Sequence, residues 1–202
     1  MLYNDKGFYV GGMLYDEHPD RIQMELTERD DLGNTDWIAI SLDPYNSGQN
    51  GFAFLTTPAN VQFDAQYSTD GYDENWDAVW QSKAVVRDNG WSVEYFIPFS
   101  AIRFPKTDVQ SWTINFARGV QRNQEQSFWT PIDPNIGGYL NQCGVLTGIR
   151  DVDPPVRIQA TPFLAVYGLT ARDAGLGKLL REAASRAGWT LKWASPKPSR
   201  WT

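Results

Sequence analysis

A single cysteine, Cys143, and a single histidine, His18, stand in a chain of 202 residues. One cysteine excludes an internal disulfide and a cysteine-based zinc site, and it fits reducing and oxidising compartments alike. One histidine, set in the turn-like run Glu17-His18-Pro19-Asp20, argues against a Ser/His/Asp triad and reads as a solvated side chain. No apolar run approaches ~18 residues, so no transmembrane helix is expected. No charged-then-apolar signal peptide opens the chain. Positive charge is scarce over most of the length: residues 1–170 carry 11 Lys/Arg against 22 Asp/Glu, whereas 171–202 carry 7 against 2. An acidic body repels phosphates, and the basic tail holds no base-reading motif, so nucleic acid is not an expected partner.

What fills residues 1–150 is period-two alternation broken by Gly, Asn, Asp and Pro. Strands are expected over Phe8–Tyr15, Asp36–Asp43, Gly51–Thr57, Val61–Gln66, Val79–Val86, Trp91–Ile97, Trp112–Gln121 and Glu125–Trp129. Pro58-Ala59-Asn60 and Asp88-Asn89-Gly90 have the chemistry of hairpin turns, and Asp43–Gly48 that of a longer one. Many short strands with little helical pattern predict an all-β, antiparallel β-sandwich, jelly-roll-like with immunoglobulin-like layers. Residues 1–150 form that domain. Asp151–Pro155 reads as a linker, and 151–202 as a linker plus the start of a β-rich second domain. Val156–Tyr167 suits a strand. Leu176, Leu179, Leu180 and Ala183 recur at helical spacing, so the tail is expected to be helical or irregular, ending at Pro196 and Pro198.

Alternation also assigns faces. Ile38, Ile40, Leu42, Val61, Phe63, Ala65, Val93, Ile97, Trp112, Ile114 and Phe116 should point inward. The opposite faces would then carry Trp37, Gln62, Asp64, Gln66, Glu94, Phe96 and Asn115. A tryptophan beside carboxylates and amides suits a sugar, whose apolar C–H face stacks on an aromatic ring while its hydroxyls take polar partners. Trp76 and Trp80 lie four apart, sharing one face in a strand or forming a clamp around a turn; for Trp80 a buried structural role weighs at least as much as binding, and Trp76, among polar neighbours, is the better candidate for exposure. Arg118, Arg122, Asn123, Glu125, Gln126 and Trp129 form a polar cluster at a strand end, either a sugar- or carboxylate-binding edge or an internal ion-pair network.

Several of these runs combine into a recognisable pattern. They are Thr27-Glu28-Arg29-Asp30-Asp31, Thr35-Asp36-Trp37, Leu42-Asp43-Pro44-Tyr45 and Trp76-Asp77-Ala78-Val79-Trp80. Gly90–Glu94, Ile97–Ser100, Arg103-Phe104 and Trp112–Arg118 complete it. Together they resemble the N-terminal, carbohydrate-binding module family 9-like (DOMON-like) domain of a bacterial family, where it precedes a β-rich domain resembling an outer-membrane barrel. The resemblance covers about residues 1–165. It implies a sandwich whose N-terminal strands are missing here, and a second domain cut short. Ala39 stands where sugar-binding relatives carry a glutamate. Carried over residue by residue, the matched polar positions are Asp36, Glu94, Asn115 and Arg118, with Trp37, Trp76 and Trp129 as stacking surfaces; Asp64 is a candidate from the alternation of faces alone.

The function this implies is a non-catalytic module binding an oligosaccharide or polysaccharide, linked to carbohydrate catabolism in the bacterial envelope, periplasm or outer membrane. One alternative is a docking domain of an outer-membrane barrel protein that binds no sugar. A second is a part of a glycoside hydrolase, for which Asp64 and Glu94 are the conceivable carboxylate pair. Relatives in the broader family often hold a structural calcium, so calcium is the cofactor to test. Acidic turns supply Asp30, Asp31, Asp43 and Asp73 as candidate ligands, beside Asn46, Asp70, Glu74 and Asp77, with no EF-hand spacing among them. Acidic turns without metal are the other reading.

Overall fold

The structure, a computed structural model, describes residues 1–69, 71–155, 157–172 and 179–194. It divides into two units, Met1–Pro155 and Val156–Thr202. The first is an antiparallel sandwich. One sheet runs β1 (Leu2–Tyr3), β2 (Gly7–Tyr15), β8 (Gly90–Pro98), β7 (Gln81–Arg87). The other runs β10 (Glu125–Phe128), β9 (Val109–Val120), β3 (Trp37–Asp43), β4 (Gly51–Thr56), β5 (Gln62–Ser68), β6 (Gly71–Asp73). Alongside β10, β11 (Gly144–Arg150) pairs the first half of β9. The short apolar and glycine-rich segment of β11 gave no strong strand signal in the sequence; the open edge of β9 recruits it.

Register explains the core. Ile40 lies opposite Phe54 on one side and Phe116 on the other, and Leu42 opposite Phe52 and Ile114. That face meets Phe8, Val10, Leu14, Val93, Tyr95 and Ile97 of the first sheet in one continuous cluster. Trp91 and Trp112 are fully buried within it. Each such side chain contributes on the order of 2–3 kcal/mol of apolar burial, which offsets the ordering of the short strands. Turn chemistry sets the ends. Asp43 Oδ1 accepts the Tyr45 N–H at 2.9 Å, and Oδ2 those of Ser47 and Gly48 at 2.7 Å each. Gly90 closes the β7–β8 hairpin at φ +138°, where an added Cβ would sit 2.0 Å from the Leu14 carbonyl oxygen.

Two sequence expectations are corrected. On β5 the faces are exchanged. Asp64 lies opposite Phe54 and points with it toward the sandwich interior, whereas Ala65 lies opposite Ala53 and Phe63 opposite Leu55 on the outer face. Phe63 is half-buried there against the small cluster of Ala39, Leu55 and Ala117. The second correction concerns the tail. Val156–Thr202 contributes a hairpin of β12 (Arg157–Arg172) and β13 (Leu179–Ala194), paired along their whole length. The helical spacing of Leu179, Leu180 and Ala183 yields to the partner strand, whose backbone groups need pairing. Leu176, Pro196 and Pro198 lie outside the described residues.

Candidate functional site

The expected stacking and polar residues do not converge. Asp36, Asp64 and Asn115 are buried. Asn115 pins the loop after β10: its Oδ1 accepts the Thr130 N–H at 2.9 Å and its Nδ2 donates to the Thr130 carbonyl at 3.0 Å. Asp36 Oδ1 accepts the Gln121 N–H at 2.8 Å, and burial holds its carboxyl above the usual carboxylate range. Trp37 lies across Gly119, where a Cβ would meet its ring at 2.3 Å. Trp76, expected to be exposed, packs instead on Phe52 and Phe54 with ring centroids 5.0 and 6.0 Å away, because its loop folds back over the core edge. Trp80 is buried and stacks on Tyr95. Trp129 is 63% exposed at the sheet edge and Glu94 is exposed on the opposite sheet, so the two belong to different surfaces. Glu94 faces outward from one sheet and Asp64 inward from the other, so no glycosidic bond fits between them.

Asp64 belongs to a charge cluster. Its carboxylate takes an Arg29 Nη2 N–H and the Ala78 N–H, while its own N–H donates to Asp30 Oδ1 at 3.1 Å. Arg29 Nε stands 3.5 Å from Asp30 and 3.7 Å from Asp77, and Nη1 donates to Gln62 at 2.7 Å. Oxygens of Asp30, Asp64 and Asp77 lie within 4.8 Å of one another, the spacing of a cation site. The guanidinium already stands among them, so this group does not fit calcium as well. Asp31 Oδ1 accepts the Gly33 N–H and Asp73 Oδ1 the Asn75 N–H, each closing a local turn as Asp43 does. Asp70 lies outside the described residues.

Two recesses stand out among the described residues. The first is a groove of about 570 Å³ on the outer face of the β1-β2-β8-β7 sheet. Tyr9 and Phe96, cross-strand partners, stack with centroids 4.7 Å apart at 26°. Next along the pair, Gly11 stands opposite Glu94, which stands opposite Lys83. Lacking a side chain, Gly11 leaves the groove open; an added Cβ would meet nothing closer than the Val93 carbonyl at 3.9 Å. Gln81, Met1 and Leu2 complete the rim. Of the predicted site residues only Glu94 belongs here. Tyr9 and Gly11 were missed, since nothing in the sequence marks which of many strand residues will flank one another.

The second is a polar cleft of about 650 Å³ at the end of β2 and β9, lined by Tyr15, Asp16, Arg21, Arg118, Arg122 and Glu125 among others. Arg122 donates both Nη groups to the Asp16 carboxylate at 2.9 and 2.7 Å, and Arg118 Nη2 lies 3.5 Å from the same group. Arg122 holds the Asp16 carboxyl below the usual range against the opposing effect of burial. The Arg118–Arg122 cluster is thus an internal ion pair and a cleft wall at once. The partner Asp16 was not among the expected residues. The chain matches no family model and no curated protein.

Proposed function

We propose that this chain is a non-catalytic carbohydrate-binding module, taking an oligosaccharide or polysaccharide in the bacterial cell envelope. The observation that supports it is the groove over Gly11. Tyr9 and Phe96, both half-buried and stacked on each other, offer an aromatic surface for the C–H side of a pyranose. Gln81, Lys83 and Glu94 offer donors and acceptors for its hydroxyls. Glu94 and Lys83 face each other across the strands yet make no ion pair among the described residues, so both heads are free for a ligand.

Calorimetric titration with xylo- and cello-oligosaccharides tests this. Binding is expected, and Gly11→Val, whose Cβ meets only the Val93 carbonyl oxygen at an ordinary 3.9 Å, abolishes it by filling the groove, as does Phe96→Ala. Trp129→Ala, on the other sheet, leaves it unchanged. Silence with every oligosaccharide sinks the sugar reading; retained binding in Gly11→Val relocates it away from this groove.

A second reading, a docking domain of an outer-membrane barrel protein without sugar binding, is favoured by one observation in the Val156–Thr202 unit. Its two strands each run 16 residues. Leu164 and Val166 are 73% and 70% exposed at alternate positions. A membrane-spanning strand needs about 9–11 residues with apolar side chains on its lipid face. Association of the full chain with lipid vesicles, lost in a Leu164→Asp/Val166→Asp variant, would favour this reading.

A further inference from the structure

The groove over Gly11 has a direction, set by the register of its sheet. Leu2, Tyr9, Phe96 and Gln81 stand opposite one another in turn across β1, β2, β8 and β7. One step along the strands, Gly11, Glu94 and Lys83 form a second row parallel to the first. Both rows lie on the outer face, because the alternate residues Phe8, Val10, Val93, Tyr95, Ile97 and Ala84 point into the core. The groove therefore runs across the strands and not along them, with an apolar wall of Leu2, Tyr9 and Phe96 beside a polar floor. Asn4 Nδ2 donates to the Tyr9 hydroxyl at 3.3 Å and helps to hold that wall.

The floor gains two backbone groups at the β2 edge. The Asn4 N–H donates to the Gly7 carbonyl and closes the β1–β2 turn. In the β2–β8 register, the Asp16 N–H donates to the Asn89 carbonyl and the Phe99 N–H to that of Lys6. Even-numbered residues of β2 thus bond to β8, and the odd-numbered ones, Gly11 included, face the other way. Tyr15 does so too, and its carbonyl accepts from Arg118 Nη1 at 2.8 Å, as the alternation requires. Pairing with β1 covers only Phe8 and Tyr9, so the Gly11 N–H and C=O have no partner among the described residues. Gly11 offers one donor and one acceptor, Glu94 acceptors and Lys83 donors, all in one line.

Neither end of this line is closed among the described residues. Leu2 is 75% exposed at one end, and Gln81 and Lys83 are exposed at the other. Four strands about 4.8 Å apart span roughly 14 Å, room for about three linked pyranose rings. A single sugar would leave most of the wall and the line uncovered, and a chain end would find no pocket to fill. Resting on the sugar reading of this groove, we propose that it takes the interior of a linear glycan laid across the strands. Successive rings set their C–H side on the Leu2–Tyr9–Phe96 wall and their hydroxyls along Gly11, Glu94 and Lys83.

Cello- and xylo-oligosaccharides of increasing length, from the monosaccharide to the hexasaccharide, are titrated into the full chain by calorimetry. Each hexasaccharide is also titrated with its reducing end converted to the alditol. In the series that binds, affinity rises at least tenfold from the disaccharide to the tetrasaccharide and then levels off. The alditol binds within twofold of its parent. Lys83→Ala weakens the tetrasaccharide at least fivefold with an unchanged melting temperature, and Trp129→Ala leaves it unaltered. Affinity that is equal from monosaccharide to hexasaccharide, or lost in the alditol, overturns interior binding and makes the groove a chain-end site. An unaffected Lys83→Ala variant overturns the passage of the chain over β7. Silence with every oligosaccharide removes the sugar reading itself, and interior binding with it.

Discussion

Replacing Arg29 by methionine keeps the length of the side chain and removes the cation that pairs with Asp64. Asp64 is fully buried, and its carboxylate is held by the Arg29 Nη2 and Ala78 N–H groups. Removing one partner of a buried pair costs about 3–5 kcal/mol, because the other charge is left desolvated and uncompensated. Arg29 itself is 38% exposed, so water screens part of its attraction and the lower end, about 3 kcal/mol, is the expected loss at neutral pH. With a urea slope of about 2 kcal/mol/M, that moves the unfolding midpoint down by roughly 1.5 M. The loss depends on pH in a defined direction. Burial raises the Asp64 carboxyl above its ordinary value, while the Ala78 N–H and Arg29 pull it down. Methionine removes one of the lowering influences, so the folded-state value rises further. A group raised on folding binds its proton more tightly in the native state, so its stabilising share is greatest at low pH and is lost as pH rises through that value. The variant's deficit relative to the parent is therefore largest near pH 7 and shrinks toward pH 4.5 as Asp64 takes up a proton. Urea unfolding of both proteins at the two pH values measures it. Arg29→Met/Asp64→Asn should recover most of the loss at pH 7. A deficit below about 1 kcal/mol, or one equal at both pH values, would refute the account, since an exposed pair behaves that way.

Burial pushes the Cys143 thiol up to about 11, so at pH 8 its alkylation by iodoacetamide should be roughly a hundredfold slower than that of free cysteine. Reaction at the free-cysteine rate would show the thiol to be open to solvent. Gly90→Ala forces a Cβ into the Leu14 carbonyl at a positive φ, at a cost on the order of 3 kcal/mol, read as a lower urea midpoint; an unchanged midpoint contradicts the hairpin geometry. Asn115→Ala removes the hydrogen bonds to Thr130 that hold the loop after β10, costing about 2 kcal/mol and raising amide exchange across residues 129–143. Unaltered exchange there would return Asn115 to the list of ligand-facing residues.

The strands were legible wherever a face is decided by neighbours close in the chain. Ile38, Ile40 and Leu42, or Val93 and Ile97, repeat every second residue, and a half-buried strand can satisfy that pattern in one way only. Glu94 was placed outward for the same reason. Asp64 escaped this logic. Its neighbours Phe63 and Ala65 are apolar and claim the inside by alternation, but Arg29 waits on that side, 35 residues earlier, and makes a buried carboxylate affordable. Trp76 sits in a loop, where alternation has no force, and its polar neighbours mislead because they face water while its ring covers Phe52 and Phe54. The tail failed for a related reason: leucine and alanine spacing speaks for a helix only until a partner strand offers its backbone. Each recess was read only in part: Arg118, Arg122, Asn123 and Glu125 of the cleft and Glu94 and Phe96 of the groove were grouped from the sequence, but not the residues that complete them. The groove needs Tyr9 and Gly11 beside Phe96 and Glu94, more than 80 residues apart in sequence. The cleft needs Asp16 beside Arg122, 106 residues away. By itself the sequence determined the period, the turns and hence the sandwich, because apolar burial in a strand is a local pattern. Which polar groups are buried, and which surfaces stay open, was decided only by tertiary structure, because desolvation is met by whatever partner the fold brings near.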